Sequence, residues 1–357
     1  MQPTLILILS LFLSFNLVSQ HKNFLKKPVV IHKELDHKEQ WRFLTTAIGD
    51  KKIVCLGESL HGIKDHNACK LELIKYLHEE MGFNVLAIES DLAKSYIGNL
   101  YRDQIPDLLF LEKVFSPVWH TEKHLELVRY IKSHPKLQLI GFDIEGKVPI
   151  ATIFEDFGIP LDTTTPPIQN FLKHYADFRD PYGTAQPFID YYRDSVMAQI
   201  AQWIIKDEYS GEKVILSGAN AHISKVEVPE SMAYMGEMLF HEFKEDYYAI
   251  GLYHSLGNPT HLFRDLYYVN QEALLPKKSL QFQLLKLKKD YLFLELHLLA
   301  KKNKFKWVKD EVLDVMQTQK YQQKVNLKQS FDAVIWIKEV THPIYVIDSK
   351  YHYKNRR

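Results

Sequence analysis

Residues 52–62 read KIVCLGESLHG, and residues 83–91 read FNVLAIESD. The first opens as a short apolar run of strand length and closes on a polar turn bounded by Gly57 and Gly62. Between the two stretches, residues 64–81 carry Leu71, Ile74, Leu77 and Met81 at helical spacing. The unit therefore reads strand, helix, strand. Continuously apolar strands need cover on both faces, so the chain is expected to build an α/β fold, a mostly parallel central sheet flanked by helices.

The same alternation extends along the chain. A helix starts near the N-cap Asp91, and another spans roughly 121–134 behind Thr121. Strands are expected at 137–142 (LQLIGF), 213–216 and 247–252, with helices at 188–207 and near 230–243. Residues 158–188 hold seven prolines or glycines and read as a loop broken by one helix. Its aromatics Phe171, Tyr175, Phe178 and Tyr182 suit the lining of an apolar cleft, or the packing of that loop onto the core. From about 275 the chain is rich in lysine and leucine and is expected to be mainly helical, an appended C-terminal part ending in apolar runs at 332–337 and 344–347. The lysines of 277–289 alternate with leucines as on a solvated amphipathic helix face.

Residues 1–19, MQPTLILILSLFLSFNLVS, contain no charged side chain, and Leu5–Val18 is nearly all apolar. That run is short for a bilayer, which takes about 20 residues, and fits a secretory signal cut after Ser19. The expected product is one domain over 20–357, exported and periplasmic, with no stable membrane insertion after removal of the signal. Lysine plus arginine is 45 against 44 acids, a net charge of +1, which speaks against a nucleic-acid partner. Hydrophobic residues at 46% and charged residues at 25% describe a chain that builds a core, not a disordered one. Two cysteines make no disulfide scaffold; Cys55 in the first strand and Cys69 in the following helix read as small core residues.

In open parallel sheets, ligands bind beyond the carboxyl ends of the strands. Four such ends carry chemistry: Gly57-Glu58-Ser59-Leu60-His61-Gly62, Glu89-Ser90-Asp91, Asp143-Ile144-Glu145-Gly146, and Ala219-Asn220-Ala221-His222. His61 is the central candidate, because imidazole can take a proton from water and return it to a leaving group. A carboxylate beside it, Glu58 or Glu89, would fix its tautomer. Glu89 closes an apolar strand, so its pKa should rise unless it is paired, and Lys70 is a candidate partner for it. Asn220 offers an amide to a developing oxyanion, and His222 a second imidazole. No Gly-x-Ser-x-Gly elbow, phosphate-binding loop, Gly-x-Gly-x-x-Gly or His-Glu-x-x-His is present. A serine nucleophile, a nucleotide and a metal are thereby disfavoured, and no cofactor is expected.

GESLHG followed by a helix and FNVLAIESD resembles the erythromycin esterase family, whose pattern is approximately Gly-Glu-x-x-His-Gly and then an apolar strand ending Glu-x-Asp. The resemblance runs on through Trp119 with Thr121-Glu122, Gly141-Phe142-Asp143, Arg193-Asp194 with Met197-Ala198, and Trp203. Asn220-x-His222, Met235-Gly236 and Phe331-Asp332-Ala333 continue it, so that it covers roughly 45–340. It implies hydrolysis of a macrolide lactone by histidine-activated water, with macrolide resistance as the outcome and a small molecule as the partner. His61 would be the base, with Glu58, Glu89, Lys70 and His222 beside it in the catalytic group. Asn220, Asp143, Trp119 and Arg193 would meet the substrate. Two positions depart from the family pattern: Ala219 stands where its segment has a first histidine, and Ile200 where asparagine is common. A related esterase on another substrate, or a catalytically weakened ligand-binding homologue, are the alternatives.

Overall fold

Nine consecutive residues from Phe83 to Asp91 form the strand that ends in Glu89, and all but one of them are buried. Such a strand lies inside a covered sheet. The computed structural model describes residues 23–144, 148–182, 189–226, 234–257, 275–315 and 322–347. In chain order the strands are β1 Val29–Val30, β2 Ile53–Leu56, β3 Phe83–Asp91, β4 Gln138–Asp143, β5 Lys213–Ser217, β6 Tyr247–Gly257, β7 Tyr291–Glu295, β8 Val312–Val315, β9 Gln322–Val325 and β10 Ala333–Val340. Eight form one sheet in the order β1-β7-β10-β6-β2-β5-β3-β4, and β8 and β9 form a separate antiparallel pair.

From β10 across to β4 every neighbouring pair is parallel, while β7 runs antiparallel to β10 and β1 antiparallel to β7. The fold is the expected mostly parallel α/β sheet. Its order decides where chemistry gathers. Because β2, β5, β3 and β4 are adjacent, the segments following Leu56, Ser217, Ile88 and Phe142 end side by side on one edge.

The helices stand close to their expected bounds. Lys64–Met81 ends at Gly82, whose φ of 72° is the left-handed C-cap that glycine adopts without strain. The Asp91 carboxylate accepts from the Lys94 amide and caps Leu92–Leu100, and Thr121 caps Glu122–Ser133. Ile189–Trp203 continues into a π-helical turn at Ile204–Glu208.

Two expectations are corrected. The part beyond 275 is not mainly helical. Its helices, Leu280–Leu285, Leu296–Leu299 and Leu327–Ser330, are short, and strands alternate with them. Residues 291–295 (YLFLE) are apolar at successive positions rather than along one helical stripe, and all five are buried in the main sheet as β7. The run 344–347 makes no strand beyond one bridge, Thr121 to Tyr345.

The 158–188 segment is the other correction, because most of its described part is the helix Pro166–Tyr182. Phe171 stacks on Tyr96 at 4.2 Å and on Tyr175 at 5.4 Å, and Phe178 meets Trp203 at 5.9 Å. Phe171 and Tyr175 are fully buried, so these rings pack the helix onto the core and line no open cleft. The segment expected to be a signal, 1–19, together with Glu145, Gly146 and the Tyr182 side chain, lies outside the described residues. Among the described residues no helix is long and apolar enough to cross a membrane.

Candidate active site

The glycine after β2 sets the floor of the site. A Cβ at Gly57 would lie 2.1 Å from the Asn220 side-chain oxygen, so only glycine lets the two turns approach this closely. Beyond Gly57 the chain turns through Glu58 and Ser59 to His61. The His61 Nδ1 lies 2.5 Å from Glu58 Oε1, and its Nε2 lies 4.0 Å from Glu89 Oε1 on β3. The His61 side chain is 30% exposed, whereas those of Glu58 and Glu89 are buried.

Burial would raise the pKa of Glu58, but the Lys70 ammonium and the hydrogen bond from His61 outweigh it and hold the carboxyl at about 2. Lys70, on the helix Lys64–Met81, reaches Glu58 Oε2 at 2.9 Å and donates to the Gly218 carbonyl at 3.2 Å. Lys70 therefore serves Glu58, not Glu89 as expected. Trp119 Nε1 donates to Glu58 Oε1 at 3.4 Å, and its ring meets His61 edge-on at 5.2 Å. An ionised Glu58 accepts the Nδ1 proton of His61, which leaves Nε2 as the lone-pair nitrogen of the neutral ring. Burial works against charge on His61, yet the Glu58 bond and the Glu89 charge raise its pKa above the ordinary value.

Glu89 answers the condition set by its sequence: it is paired. The Arg193 guanidinium reaches Oε1 at 3.1 Å, His222 Nε2 lies 3.4 Å from the same oxygen, and the Ala219 amide donates to Oε2 at 3.0 Å. Burial raises its pKa, but His222 first, then His61 and Arg193, hold it well below the usual carboxylate range. Arg193 also grips Asp143 at the end of β4, at 2.5 Å and 3.0 Å. Asp143, buried at the end of β4, thus orients Arg193.

His222 forms a second imidazole–carboxylate pair, its Nδ1 lying 2.7 Å from Asp194 Oδ1. Burial opposes its charge, but Glu89 and the Asp194 bond push its pKa up to about 10. It is therefore an imidazolium, with Nε2–H directed at Glu89 Oε1. Asp194, part of the Arg193-Asp194 pair, is a site residue whose role the sequence does not reveal. The signal that could have found it is its place beside Arg193 on a helix returning to the strand ends.

Asn220 requires a correction. Its Nδ2 donates to the Leu252 carbonyl at 3.0 Å, and its Oδ1 accepts the Leu252 amide at 3.1 Å. The amide stitches the turn after β5 to β6 and is buried, so it is neither an oxyanion donor nor a substrate contact. His61, Glu58, Glu89, Lys70, His222, Asp143, Trp119 and Arg193 do converge. Cys55 and Cys69 are buried, free thiols, with burial pushing Cys69 up to about 12.

A cavity of about 30 Å³ opens behind Lys70, Glu89 and Trp119, lined also by Asn67 and His124. Its size admits one or two waters. Burial drives the His124 pKa down to about 3, so that ring is neutral.

Residues 168–340 match the family model described as erythromycin esterase. A Bacillus subtilis protein named putative hydrolase YbfO is 23% identical over 85% of this chain and 87% of its own. Erythromycin esterase type II of Escherichia coli is 22% identical over 65% of this chain and 75% of its own. In fold, the chain resembles a Bacillus cereus protein of known structure, with a TM-score of 0.72 at 18% identity over 92% of this chain and 99% of that one. It also resembles a mutant of erythromycin esterase EreC in its open conformation, with a TM-score of 0.58 at 17% identity over 91% and 98%. The names of the family and of these relatives indicate a hydrolase. Sequence and fold point the same way: over residues 168–340 the chain is similar to the erythromycin esterase family, and its fold is like that of an erythromycin esterase.

Proposed function

We propose that this protein hydrolyses a carboxylic ester, the lactone of an erythromycin-type macrolide, and that macrolide resistance is the result. The observation that carries the reading is His61, oriented by Glu58 at 2.5 Å with its Nε2 4.0 Å from Glu89. One water placed between those two atoms can hydrogen-bond both at about 2.8 Å. His61 Nε2 takes a proton from that water as its oxygen attacks the carbonyl carbon. The tetrahedral oxyanion forms beside the imidazolium of His222 and the guanidinium of Arg193, two cations already fixed before reaction. Collapse breaks the carbon–oxygen ester bond, and His61 returns the proton to the leaving alkoxide. Lys70 stays on Glu58 throughout and keeps it an acceptor. The apolar leader 1–19 favours action after export, in the periplasm, with those residues removed.

The test is incubation of the purified protein with a panel of macrolides and mass spectrometry of the products. A ring-opened product heavier by one water is expected, and its loss in His61→Ala. Turnover unchanged in His61→Ala would overturn the assignment of the base.

A second reading rests on Ala219, which stands at the family's first histidine and reaches Glu89 by its backbone alone. Turnover of simple aryl esters without macrolides would favour a related esterase. A macrolide that raises Tm without being consumed would favour a binding homologue.

A further inference from the structure

The charge of this chain is unevenly spread. Residues 275–309 contain ten lysines against Asp290 and Glu295, a balance of +8 in a chain whose total is +1. Half of those lysines lie around one short helix, Leu296–Leu299. The turn Phe24–Lys26, the turn Asn303–Val308 and the helix Leu327–Ser330 all pack against it. Around that helix they carry Lys26 and Lys27, five lysines between 301 and 309, and Lys328, and of these Lys26, Lys27, Lys301, Lys304, Lys306 and Lys309 are exposed. Among the described residues none of the eight has an ion-pair partner. The acids nearby are used elsewhere or sit at the margin. Glu295 is buried and accepts from Tyr248 at 2.6 Å, Asp332 pairs with Lys225 at 2.8 Å, and Glu311 lies 3.8 Å from Lys324, with Asp310 exposed beside it. His297, within the helix, reports the field: burial first, then Lys301, hold its pKa below the ordinary value.

The position of this cluster is fixed by register. Glu295 at the end of β7 pairs with Ala333 at the start of β10, and Ala333 pairs with Ile250 early in β6. The helix that follows Glu295 therefore lies at the amino ends of the parallel strands, opposite the edge that carries His61. Two apolar features accompany the charge: Phe24 is 42% exposed and Trp307 is half-buried.

Lysines around an exposed aromatic ring are a combination that binds anionic lipid: charge attracts the headgroups and the ring enters the interface. A nucleic acid would engage the charge but give the exposed Phe24 ring nothing to do. We propose that this lysine cluster docks the protein on an anionic lipid surface, with Phe24 in the headgroup layer and the active site turned away from the membrane.

Co-sedimentation of the full chain tests this, using vesicles of phosphatidylcholine alone and of phosphatidylcholine with phosphatidylglycerol. The quantity read is the difference between the two, which cancels any pull of the leader itself. Each lysine near an anionic surface contributes roughly fivefold in partition, so Lys301→Glu/Lys304→Glu/Lys306→Glu should lower binding to anionic vesicles by at least about a hundredfold. Added salt should suppress the wild-type preference. The control Lys277→Glu/Lys278→Glu/Lys286→Glu makes the same charge change near the carboxyl end of β6 and should leave binding intact. Equal partition onto both vesicles, or equal loss in the control, would overturn the proposal. So would retention on heparin or duplex DNA with none on vesicles.

Discussion

Two imidazoles face Glu89, and the difference between them explains the site. His61 has one carboxylate at 2.5 Å and a second only at 4.0 Å, with its ring 30% exposed. His222 has carboxylates at 2.7 Å and 3.4 Å, with its ring 12% exposed. The second acid within bonding distance pushes His222 to a pKa of about 10, so it carries its proton at every physiological pH. His61, raised as well, has the more exposed ring of the two. One ring is thereby suited to accept a proton and the other to hold positive charge, a division set by the acids around each.

The comparison is broken most severely by removing the orienting acids. Glu58→Gln should lower kcat by about 10²–10⁴ with little change in KM, because the amide no longer fixes the His61 tautomer. Asp194→Asn should cost less, roughly ten- to a hundredfold, and should act through pH. In the wild type, kcat/KM should rise as His61 loses its proton above its ordinary value of 6.5, and fall as His222 loses its own near 10. Without the Asp194 charge that falling limb should move to lower pH. An unmoved limb in the pH–rate profile would show that Asp194 does not set the charge on His222.

Stability against pH sharpens the same contrast. The folded pKa of His222 is raised from 6.5 to about 10, so its contribution is full below 6.5 and is lost as pH climbs toward 10. His66 and His254 behave oppositely. Both are buried, and burial holds His66 well below 6.5 and His254 at about 4. Their contribution is present above 6.5 and is lost as pH falls toward 4. Glu58, held at about 2, adds a further loss below its ordinary 4.5. Tm should therefore fall on both sides of a maximum near 6.5, and His222→Gln should flatten the alkaline side by a few degrees, as read by scanning calorimetry. An alkaline side as steep in His222→Gln as in the wild type would mean that other groups carry it.

Much of this arrangement was legible in the residues. Buried strands read plainly because Ile53–Leu56 and Val85–Ile88 are continuously apolar, and the carboxylates and imidazoles that end them stand out against those runs. Strand order is what turned separate signals into one site, and periodicity does not encode it. The YLFLE run of β7 was hidden among lysines and leucines of the same composition as a helix. Asp194 was obscure for a related reason: it lies on a helix 28 residues from His222, and only folding makes them partners. Asn220 misled in the other direction, since an amide beside a histidine at a strand end has the composition of an oxyanion hole. Whether it bonds a ligand or the Leu252 backbone depends on where β6 runs.

That ambiguity yields the smallest effect and a clean separation of roles. In Asn220→Ala, the Leu252 N–H and C=O lose the partners that now lie at 3.1 Å and 3.0 Å, inside a sheet where water does not reach them. Leaving such groups unpaired costs about 1–3 kcal/mol, and Tm should drop by roughly 2–4 °C for each kcal/mol lost. The molecules that remain folded keep His61, Glu58 and Glu89 in place, so kcat measured well below Tm should stay within a few-fold of wild type. An oxyanion donor would behave in reverse, with kcat falling by about 10²–10³ and Tm little changed. Denaturation and turnover measured on the same preparation decide between a stitch in the sheet and a hand on the substrate.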